Sequence, residues 1–441
     1  MVDMRKGEID IITLGCSKNL VDAERLMRQL ALAGYHCVHD SSNPQGEIAI
    51  INTCGFIGDA KEESIEMILR FAERKSKKQL RKLYVMGCLS QRYAKELPTE
   101  IPEVDGWFGK FDYLEIVQEV QEFRSAGVQK VKGADYERML TTPKHYAYLK
   151  IAEGCNRYCS YCAIPLITGK FTSRPIEDIL SEVKWLVSQG VRELNVIAQD
   201  LSSYGLDLYG EHRLAQLVDA MAQVPGIEWI RLHYAYPTDF PYDLLPIMAK
   251  HPNVCKYMDI ALQHCSSNVL KKMRRHITRE EQDALIARIR HEVPGICIRT
   301  TLLVGHPGET EDDFNELCAW VKEMRFDRLG AFAYSEEEGT FAARHYTDDI
   351  PHEEKERRVE TIMAIQQQIS ADILSQMIGS KQRVVIDREE FDYYIGRTQY
   401  DSPEVDCEVL IAKADNGDLK IGEYYTVTII KSEDFDLYAS L

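Results

Sequence analysis

The chain reads Gly154–Cys155–Asn156–Arg157–Tyr158–Cys159–Ser160–Tyr161–Cys162 directly after a predicted strand, Tyr148–Ala152, so three cysteines stand in the spacing C-x3-C-x2-C. Three thiolates this close can bind three irons of a [4Fe–4S] cluster, and without a fourth cysteine one iron stays open to another ligand. An open coordination position distinguishes a reactive metal site from a closed structural one. A zinc site or a plain loop are the alternatives, but no fourth Cys or His follows nearby at finger-like spacing.

Three further cysteines each follow a strand in the first 125 residues. Strands are predicted at Glu8–Leu14, Glu47–Asn52 and Lys82–Met86, and they alternate with helices, which is typical of a mostly parallel sheet. Cys16, Cys54 and Cys88 come just after these strands, and each lies next to a glycine. Because the carboxyl ends of such strands share one edge, where ligands bind, we expect the three thiols to converge as a second metal or iron–sulfur site. The alternative is that they are small buried hydrophobic side chains.

The rest of the chain divides into two further domains, which makes the predicted fold class a multidomain α/β protein. After 1–125, a polar segment at 126–145 is typical of a linker. Between 146 and 376, strand-like segments recur six times, at Tyr148–Ala152, Glu193–Ala198, Trp229–His233, Met258–Leu262, Ile298–Val304 and Leu329–Tyr334. Six strands alternating with helices predict a partial (β/α) barrel or an open α/β sheet.

The end of the chain has a different pattern. Pro351 opens a predicted long helix that reaches about Met377. Residues 377–441 contain short alternating strands, predicted at Gln382–Asp387, Glu408–Ile411 and Tyr424–Ile430, with turns at Gly396, Asn416–Gly417 and Gly422. This pattern predicts a small all-β barrel or sandwich.

Composition excludes several classes of protein. The chain has 441 residues, of which 45% are hydrophobic and 28% charged, which is a globular balance. No apolar run reaches the roughly 18–20 residues that cross a bilayer, and the first residues lack a signal peptide, so we expect a cytoplasmic protein with no membrane partner. In that compartment 12 cysteines are not a disulfide framework, and several are expected to be metal ligands or catalytic groups.

Charge gives a weaker indication about the partner. The net charge is −17, which argues against a general nucleic-acid surface. Residues 377–441 contain seven Lys and Arg against fourteen Asp and Glu. A domain that binds RNA should be basic, because affinity comes from neutralising phosphates. This acidic domain would instead suit a basic partner, although an acidic surface can also serve solubility alone.

The motifs together resemble a known family. C-x3-C-x2-C after the first strand of a βα barrel is similar to the radical S-adenosylmethionine (SAM) enzymes. An upstream three-cysteine α/β domain and a small C-terminal β domain, similar to the TRAM domain, make the whole chain resemble the methylthiotransferases. Within them the chain resembles the RimO type in four stretches, namely Gly154–Cys162 with Ala163–Ile164–Pro165, Arg231–Pro237 (RLHYAYP), Val304–Glu309 (VGHPGE) and Ser402–Asp406 (SPEVD).

The resemblance implies a function and the residues that perform it. RimO-type enzymes place a methylthio group on the β-carbon of an aspartate in the twelfth small-subunit ribosomal protein. Cys155, Cys159 and Cys162 would then ligate a catalytic [4Fe–4S] cluster whose open iron binds SAM, giving a 5′-deoxyadenosyl radical after one-electron reduction. Cys16, Cys54 and Cys88 would hold an auxiliary [4Fe–4S] cluster that presents sulfur, and a second SAM would supply the methyl group. A flavodoxin or ferredoxin would be the electron donor.

Further contacts to SAM are predicted at the ends of the core strands. Gln199 and Asp200 would contact the methionine part, Gln263 and Arg274 lie past the fourth strand, and Val304 and Phe332 would line the adenosine. Ordinary strand-end polar residues and core packing explain these six equally well. His306 is a candidate substrate contact or a turn residue satisfied by backbone. A basic run, Lys271, Lys272, Arg274, Arg275 and Arg279, is typical of a solvated helix face.

Two other functions compete with the main hypothesis. A transfer-RNA methylthiotransferase that modifies isopentenyl-adenosine shares most of these motifs, but the acidic C-terminal domain makes transfer RNA an unfavourable partner. A non-catalytic iron–sulfur electron carrier would need no open iron, so the three-cysteine motif argues against it.

Overall fold

The computed structural model describes residues 5–110, 112–123 and 136–441, apart from the side chain of residue 415. Residues 126–135 of the predicted linker lie outside this part of the chain. The described residues form an N-terminal parallel α/β domain, a central α/β domain and a C-terminal β-barrel, as predicted. The boundaries at 125, 145 and 376 stay predictions. Within the described ranges, none of the helices combines the length and the apolar character needed to cross a membrane.

The N-terminal domain is a five-stranded parallel sheet with helices on both faces. Its elements are β1 (Arg5–Thr13), α1 (Ser17–Leu32), β2 (His36–His39), β3 (Gly46–Thr53), α2 (Gly58–Ser76), β4 (Lys82–Gly87), α3 (Cys88–Arg92), α4 (Leu97–Glu100), β5 (Gly106–Trp107) and α5 (Tyr113–Phe123), with strand order β2-β1-β3-β4-β5. Ile48 and Ile50 of β3 share a core with α1 and α5, whereas Ala49 and Ile51 pack with α2. Burial of both faces explains why these strands are apolar throughout. The four-residue strand β2 was not predicted.

The central domain is an open barrel of parallel strands. Its elements begin with β6 (Tyr146–Lys150), β7 (Ala152–Glu153), α6 (Ile164–Thr168), β8 (Thr172–Ser173), α7 (Ile176–Ser188), β9 (Glu193–Ile197), α8 (Leu206–Tyr209), α9 (Leu214–Ala222), β10 (Trp229–Ala235) and α10 (Leu244–Lys250). They continue with β11 (Val254–Gln263), α11 (Ser267–Lys272), α12 (Arg279–Glu292), β12 (Cys297–Val304), α13 (Glu311–Met324), β13 (Arg328–Ala333), α14 (Phe341–His345) and α15 (His352–Ser375). The six-stranded sheet runs β6-β9-β10-β11-β12-β13 in chain order, which places all six predicted strands in one sheet.

The C-terminal domain is a closed five-stranded barrel. It consists of β14 (Lys381–Glu390), β15 (Tyr393–Thr398), β16 (Val409–Ala412), α16 (Lys413–Asn416), β17 (Tyr424–Ser432) and β18 (Leu437–Ser440). The prediction of a turn at Gly396 is wrong, because Gly396 lies inside β15. A Cβ there would lie 2.4 Å from the carbonyl oxygen of Val385, so glycine allows close approach of the paired strand β14. Strands β15 and β18 were not predicted.

The described end of the predicted linker is clamped between two domains. Arg138 is fully buried, and its guanidinium donates a hydrogen bond of 2.6 Å to Glu24 on α1 and lies 3.2 Å from Glu182 on α7. Glu24 also accepts a hydrogen bond of 2.7 Å from the backbone N–H of Thr141. Arg138, inside the segment predicted as a linker, is therefore part of a buried ion-pair network, and Thr141 hydrogen-bonds to the same carboxylate.

Candidate active site

The C-x3-C-x2-C loop connects β7 to α6 at the carboxyl end of the barrel. Gly154 begins the loop with φ +73°, and a Cβ there would lie 2.2 Å from the carbonyl oxygen of Lys170. Glycine is required at this position because the loop approaches the segment before β8 so closely. The backbone N–H of Cys155 donates to the carbonyl of Gly169 at 3.3 Å. The three thiols of this loop, which we call the core triad, are half-buried and belong to Cys155, Cys159 and Cys162.

Two arginines bring positive charge to the core triad. The guanidinium of Arg275 lies 3.7 Å from the sulfur of Cys159, and the hydroxyl of Tyr236 lies 3.5 Å from the same sulfur. Arg157 and Arg275 both contact the Tyr236 ring, at 4.3 and 4.2 Å from its centre. The backbone N–H of Arg157 also points to the sulfur of Cys155 at 3.5 Å. Cationic and N–H groups of this kind stabilise the negative charge of thiolates and of a bound cluster.

Asp200 holds one of these arginines. Its carboxylate accepts a hydrogen bond of 2.7 Å from Arg157, one of 2.9 Å from the backbone N–H of Ser202 and one of 2.5 Å from the hydroxyl of Ser203. Arg157 pairs in addition with Asp239 at 3.1 Å. Asp200 was predicted as a SAM contact, and that role stays a prediction; its described partners make it a support of the cysteine loop.

The other predicted SAM contacts lie around the same edge of the barrel. Gln199 has a buried carbonyl oxygen with no hydrogen-bond partner among the described residues. Gln263 and Arg274 have φ of +72° and +58°, a conformation that is uncommon for such residues and that concentrates at functional sites. Val304 is buried at the end of β12, whereas Phe332 on β13 is 56% exposed. An unsatisfied amide oxygen and an exposed aromatic ring fit a ligand at this edge, and the individual roles stay predictions.

His306 contacts the cysteine loop through Ser160. It is fully buried, and its Nε2 lies 3.0 Å from the hydroxyl of Ser160, which stands between two cysteines of the core triad. Its Nδ1 lies 3.2 Å from the carbonyl oxygen of Pro307. Burial lowers the pKa of His306 to about 4. The ring is therefore a neutral packing group, closer to the predicted turn residue than to a substrate contact.

The three N-terminal cysteines also converge, and we call them the N-terminal triad. Cys16 immediately precedes α1, Cys54 follows β3 and Cys88 begins α3. A Cβ on Gly15 would lie 3.0 Å from the sulfur of Cys54, which shows how close the first two loops are. Asn19 ties the loops together: its amide nitrogen donates to the carbonyls of Leu14 and Thr53, and its oxygen lies 3.6 Å from the sulfur of Cys88.

Neither triad surrounds a single ion position. Across the described residues, no group of three Cys, His, Asp or Glu side chains is arranged to hold one metal ion. Each thiolate of an iron–sulfur cluster binds a different iron atom, so the cluster ligands lie further apart than the ligands of one ion. Two sets of three thiols, none of which surrounds one ion position in the described residues, therefore fit clusters better than zinc. Burial raises the pKa of Cys88 and Cys155 to about 12, so ligation would release protons.

The two triads lie next to each other across the domain boundary. Cys88 packs in a small apolar cluster with Ala163 and Ile167, and Ala163 directly follows Cys162 of the core triad. A second contact joins the same two domains nearby. Arg92 on α3 donates a hydrogen bond of 2.7 Å to Glu337, which follows β13. Both triads therefore lie beside this contact between the N-terminal domain and the barrel.

A buried charge network lines this boundary. Lys150 on β6 pairs with Asp22 on α1 and with Glu153, and Lys110 pairs with Glu153 at 3.1 Å and with Asp22 at 3.7 Å. Burial opposes the ionisation of Glu153, but the two ammonium groups lower its pKa to about 2. These ion pairs between two lysines and two carboxylates fix α1 of the N-terminal domain against the barrel.

Sequence reasoning missed several of these residues. Arg275 lies in the loop after α11 and is 2% exposed, so the prediction of a solvated helix face is wrong for this residue. Arg275 directly follows Arg274, which was predicted to contact SAM, and this position could have indicated a role at the site. Lys18 and Asn19 follow Cys16 in the first turn of α1, where the position of that helix at the ligand edge could have indicated a role.

The open parallel barrel with a three-cysteine loop at its carboxyl edge defines a radical SAM enzyme, and residues 149–321 match the model of the radical SAM superfamily. Residues 8–109 match the uncharacterized protein family UPF0004, and residues 378–441 match the TRAM domain. The ribosomal protein uS12 methylthiotransferase RimO of Phocaeicola vulgatus is 61% identical over 440 residues, 99% of this chain and 100% of that protein. The protein of that name from Bacteroides thetaiotaomicron is 59% identical over 99% of both chains. The chain therefore belongs to the RimO family of radical SAM methylthiotransferases.

Solved structures at low identity share the fold. The radical SAM methyltransferase TsrM from Kitasatospora setae aligns with a TM-score of 0.54 and 14% identity, covering 74% of this chain and 72% of that one. The cobalamin-dependent SAM radical enzyme OxsB aligns with a TM-score of 0.52 and 12% identity, covering 81% of this chain and 56% of that one. At these identities the likeness concerns the fold alone.

Proposed function

We propose that this enzyme inserts a methylthio group at the β-carbon of an aspartate in ribosomal protein uS12. The observation that carries the proposal is that Cys88 of the N-terminal triad packs against Ala163, the residue that follows Cys162 of the core triad. A radical formed on an unactivated carbon has to meet its sulfur source before it reacts elsewhere, so the source must be held close by. Relatives named for this activity match the chain from end to end, which supports the same assignment.

In this proposal each triad holds one [4Fe–4S] cluster. When bound, the cluster of the core triad supplies the electron that cleaves SAM to methionine and the 5′-deoxyadenosyl radical, and the cluster of the N-terminal triad supplies sulfur. Arg275 and Arg157 place positive charge beside the core triad. The buried lysine–carboxylate network keeps α1, and with it Cys16, in position. The substrate hydrogen atom would pass to the 5′-deoxyadenosyl radical, which becomes 5′-deoxyadenosine, and a second SAM would provide the methyl group.

The partners follow from the chemistry. Reductive cleavage of SAM needs a one-electron donor of low potential, and a flavodoxin or ferredoxin is the proposed donor. Ribosomal protein uS12, free or on the ribosome, is the proposed protein partner, which places the enzyme in the cytoplasm.

The competing functions are less well supported. Transfer RNA as substrate would require a basic docking surface, and the C-terminal domain has twice as many acidic as basic residues. A non-catalytic electron carrier gains nothing from two triads that each leave one iron without a protein thiolate. The relatives at 59–61% identity are named for the ribosomal protein, which does not favour the transfer-RNA alternative.

Mass spectrometry of cells with and without the gene tests the function. We expect loss of one methylthio mass from a single aspartate peptide of uS12 when the gene is deleted, with the methylthio nucleosides of transfer RNA unchanged. The wild-type gene and a Cys318→Ala variant, altered at a half-buried cysteine on α13 outside both triads, should restore the modification. A Cys159→Ala variant should not restore it. Loss of a methylthio nucleoside with intact uS12 modification would contradict the proposal.

A further inference from the structure

Lys18 is a nearly buried lysine beside the N-terminal triad. It lies in the first turn of α1, two residues after Cys16, and is 9% exposed. Its ammonium nitrogen sits 3.6 Å from the centre of the Tyr234 ring. Within residues 5–110, 112–123 and 136–441, it forms no ion pair and no hydrogen bond. Lysine side chains are rarely this buried without a paired anion, because an ammonium group loses much of its hydration there.

Three other cations near the two triads have a carboxylate partner, whereas Arg275 lies beside the sulfur of Cys159. Lys110 pairs with Glu153, Lys150 with Asp22, and Arg157 with Asp200. The aromatic face of Tyr234 attracts a cation but does not neutralise it. Lys18 is thus a positive charge, positioned by an aromatic ring, whose counter-charge is not among the described side chains.

The position of Tyr234 places Lys18 at the mouth of the barrel. Tyr234 stands at the carboxyl end of β10 with φ +66°, a left-handed conformation that is rare for an aromatic residue and typical of functional sites. Two residues further, the hydroxyl of Tyr236 contacts the sulfur of Cys159. Two residues span at most about 7 Å along the chain. Lys18 of the N-terminal domain therefore contacts the barrel on the same chain segment that carries Tyr236, the partner of Cys159.

We infer that Lys18 binds the side-chain carboxylate of the substrate aspartate. This inference rests on the proposed function and adds a specificity-determining residue to it. The reacting β-carbon of aspartate is bonded directly to that carboxylate, so an ammonium that binds the carboxylate holds the carbon between the two triads. A fixed positive charge also distinguishes aspartate from asparagine, whose neutral amide would leave the ammonium without a counter-charge.

A double-mutant cycle tests the contact. The probe is purified uS12, native or with asparagine at the target position, bound anaerobically to reconstituted holoenzyme with SAM present and reductant absent. We expect Lys18→Met to raise the dissociation constant of native uS12 by about 10- to 100-fold, as for a charge-assisted contact. The wild-type enzyme should bind uS12 with asparagine at the target position more weakly by a similar factor. Lys18→Met together with the asparagine substrate should weaken binding little more than either change alone.

The controls distinguish the carboxylate of the substrate from that of SAM, and a specific loss of uS12 binding from a general effect of the substitution. Lys18→Gln repeats the cycle with a polar side chain, and Lys77→Met, at an exposed lysine on the surface beyond α2, should bind uS12 like the wild type. Additive losses, or no loss, would overturn the inference. So would a loss of SAM affinity with unchanged uS12 binding, which would assign Lys18 to the carboxylate of SAM. If the wild-type enzyme neither binds nor modifies uS12, the proposed function itself fails.

Discussion

The guanidinium of Arg275 lies 3.7 Å from the sulfur of Cys159, in a position that is almost completely buried. The same guanidinium donates to the hydroxyl of Tyr161 at 3.4 Å and to the carbonyl oxygen of Ala261. Burial disfavours its charge, yet Tyr161, Tyr236 and Cys159 raise the pKa of Arg275 above that of free arginine. A permanent buried cation beside a cluster thiolate should favour the reduced, more negative state of the cluster.

Arg275→Met should therefore make the cluster of the core triad harder to reduce. We expect a more negative midpoint potential and a fall in reductive SAM cleavage of about 10- to 100-fold, since one charged contact contributes about 1.5–3 kcal/mol. Arg275→Lys should recover part of both losses. Potentiometry followed by electron paramagnetic resonance gives the potential, and 5′-deoxyadenosine formation gives the rate. An unchanged potential with lost iron would instead show a purely structural role.

Cys54→Ala should separate the two halves of the reaction. The core triad remains intact in this variant, so reductive cleavage of SAM to 5′-deoxyadenosine should continue while methylthiolated uS12 is no longer formed. Cys159→Ala should abolish both products. Chromatography of deoxyadenosine and mass spectrometry of uS12 measure the two steps in one assay. Normal methylthiolation by Cys54→Ala would show that the N-terminal triad is not the sulfur site.

The fold could be predicted where apolar runs are long. The core strands stood out as apolar runs, and in β9 the adjacent residues Val196 and Ile197, which point to opposite faces, are both buried. Strand β15 was missed because Gly396 was predicted to form a turn. In the structure Gly396 permits close strand pairing, and Arg397 donates to the buried carboxylate of Glu193 at 2.8 Å. That pairing is a contact between domains, which local sequence patterns do not report.

Only those residues of the candidate site that belong to a spaced motif or follow a strand could be predicted from the sequence. The cysteines of both triads were found from their motif and from their position after strands, whereas Asn19, Lys18 and Arg275 acquire their roles from residues far away in sequence. Lys18, for example, meets Tyr234 from another domain. Such contacts depend on how the domains dock, which the pattern along one segment does not determine.

The acidic charge of the C-terminal domain was also only partly interpretable from sequence. Asp401 is fully buried and accepts a hydrogen bond of 2.6 Å from the guanidinium of Arg328. The carboxylate of Asp406 lies 3.3 Å from the guanidinium of Arg299. Part of the acidic excess is therefore neutralised by core arginines at the domain interface. The remaining exposed acids still outnumber the bases, but the attraction to a basic protein partner is weaker than the composition suggested.

Asp22→Asn should destabilise the docking of the N-terminal domain. Asp22 neutralises Lys150 and Lys110, and its loss leaves two buried ammonium groups facing Glu153. Removing one member of a buried ionic group costs about 3–5 kcal/mol. Differential scanning calorimetry of the holoenzyme should show a lower unfolding temperature, and hydrogen exchange should show faster exchange in α1. The control Glu66→Gln changes an exposed carboxylate on α2 and should leave both values unchanged.

The start of α13 should contribute stability that disappears in acid. Asp313 is buried, which opposes its ionisation, but hydrogen bonds from Ser266, Thr310 and Asn268 lower its pKa from 3.8 to about 2. A carboxyl whose folded pKa is depressed stabilises the protein above its unfolded pKa, and that stability is lost as the pH falls from 3.8 to about 2.

Asp313→Asn should therefore lower the free energy of unfolding at pH 7 by about 1–2 kcal/mol, after allowance for solvent screening at the helix start, with the difference shrinking toward pH 2. Urea unfolding followed by circular dichroism across this pH range measures the difference. Asp312→Asn, at the exposed neighbouring position in the same helical turn, should show little change. A difference between Asp313→Asn and the wild type that stays constant down to pH 2 would mean that Asp313 acts through packing rather than through its charge.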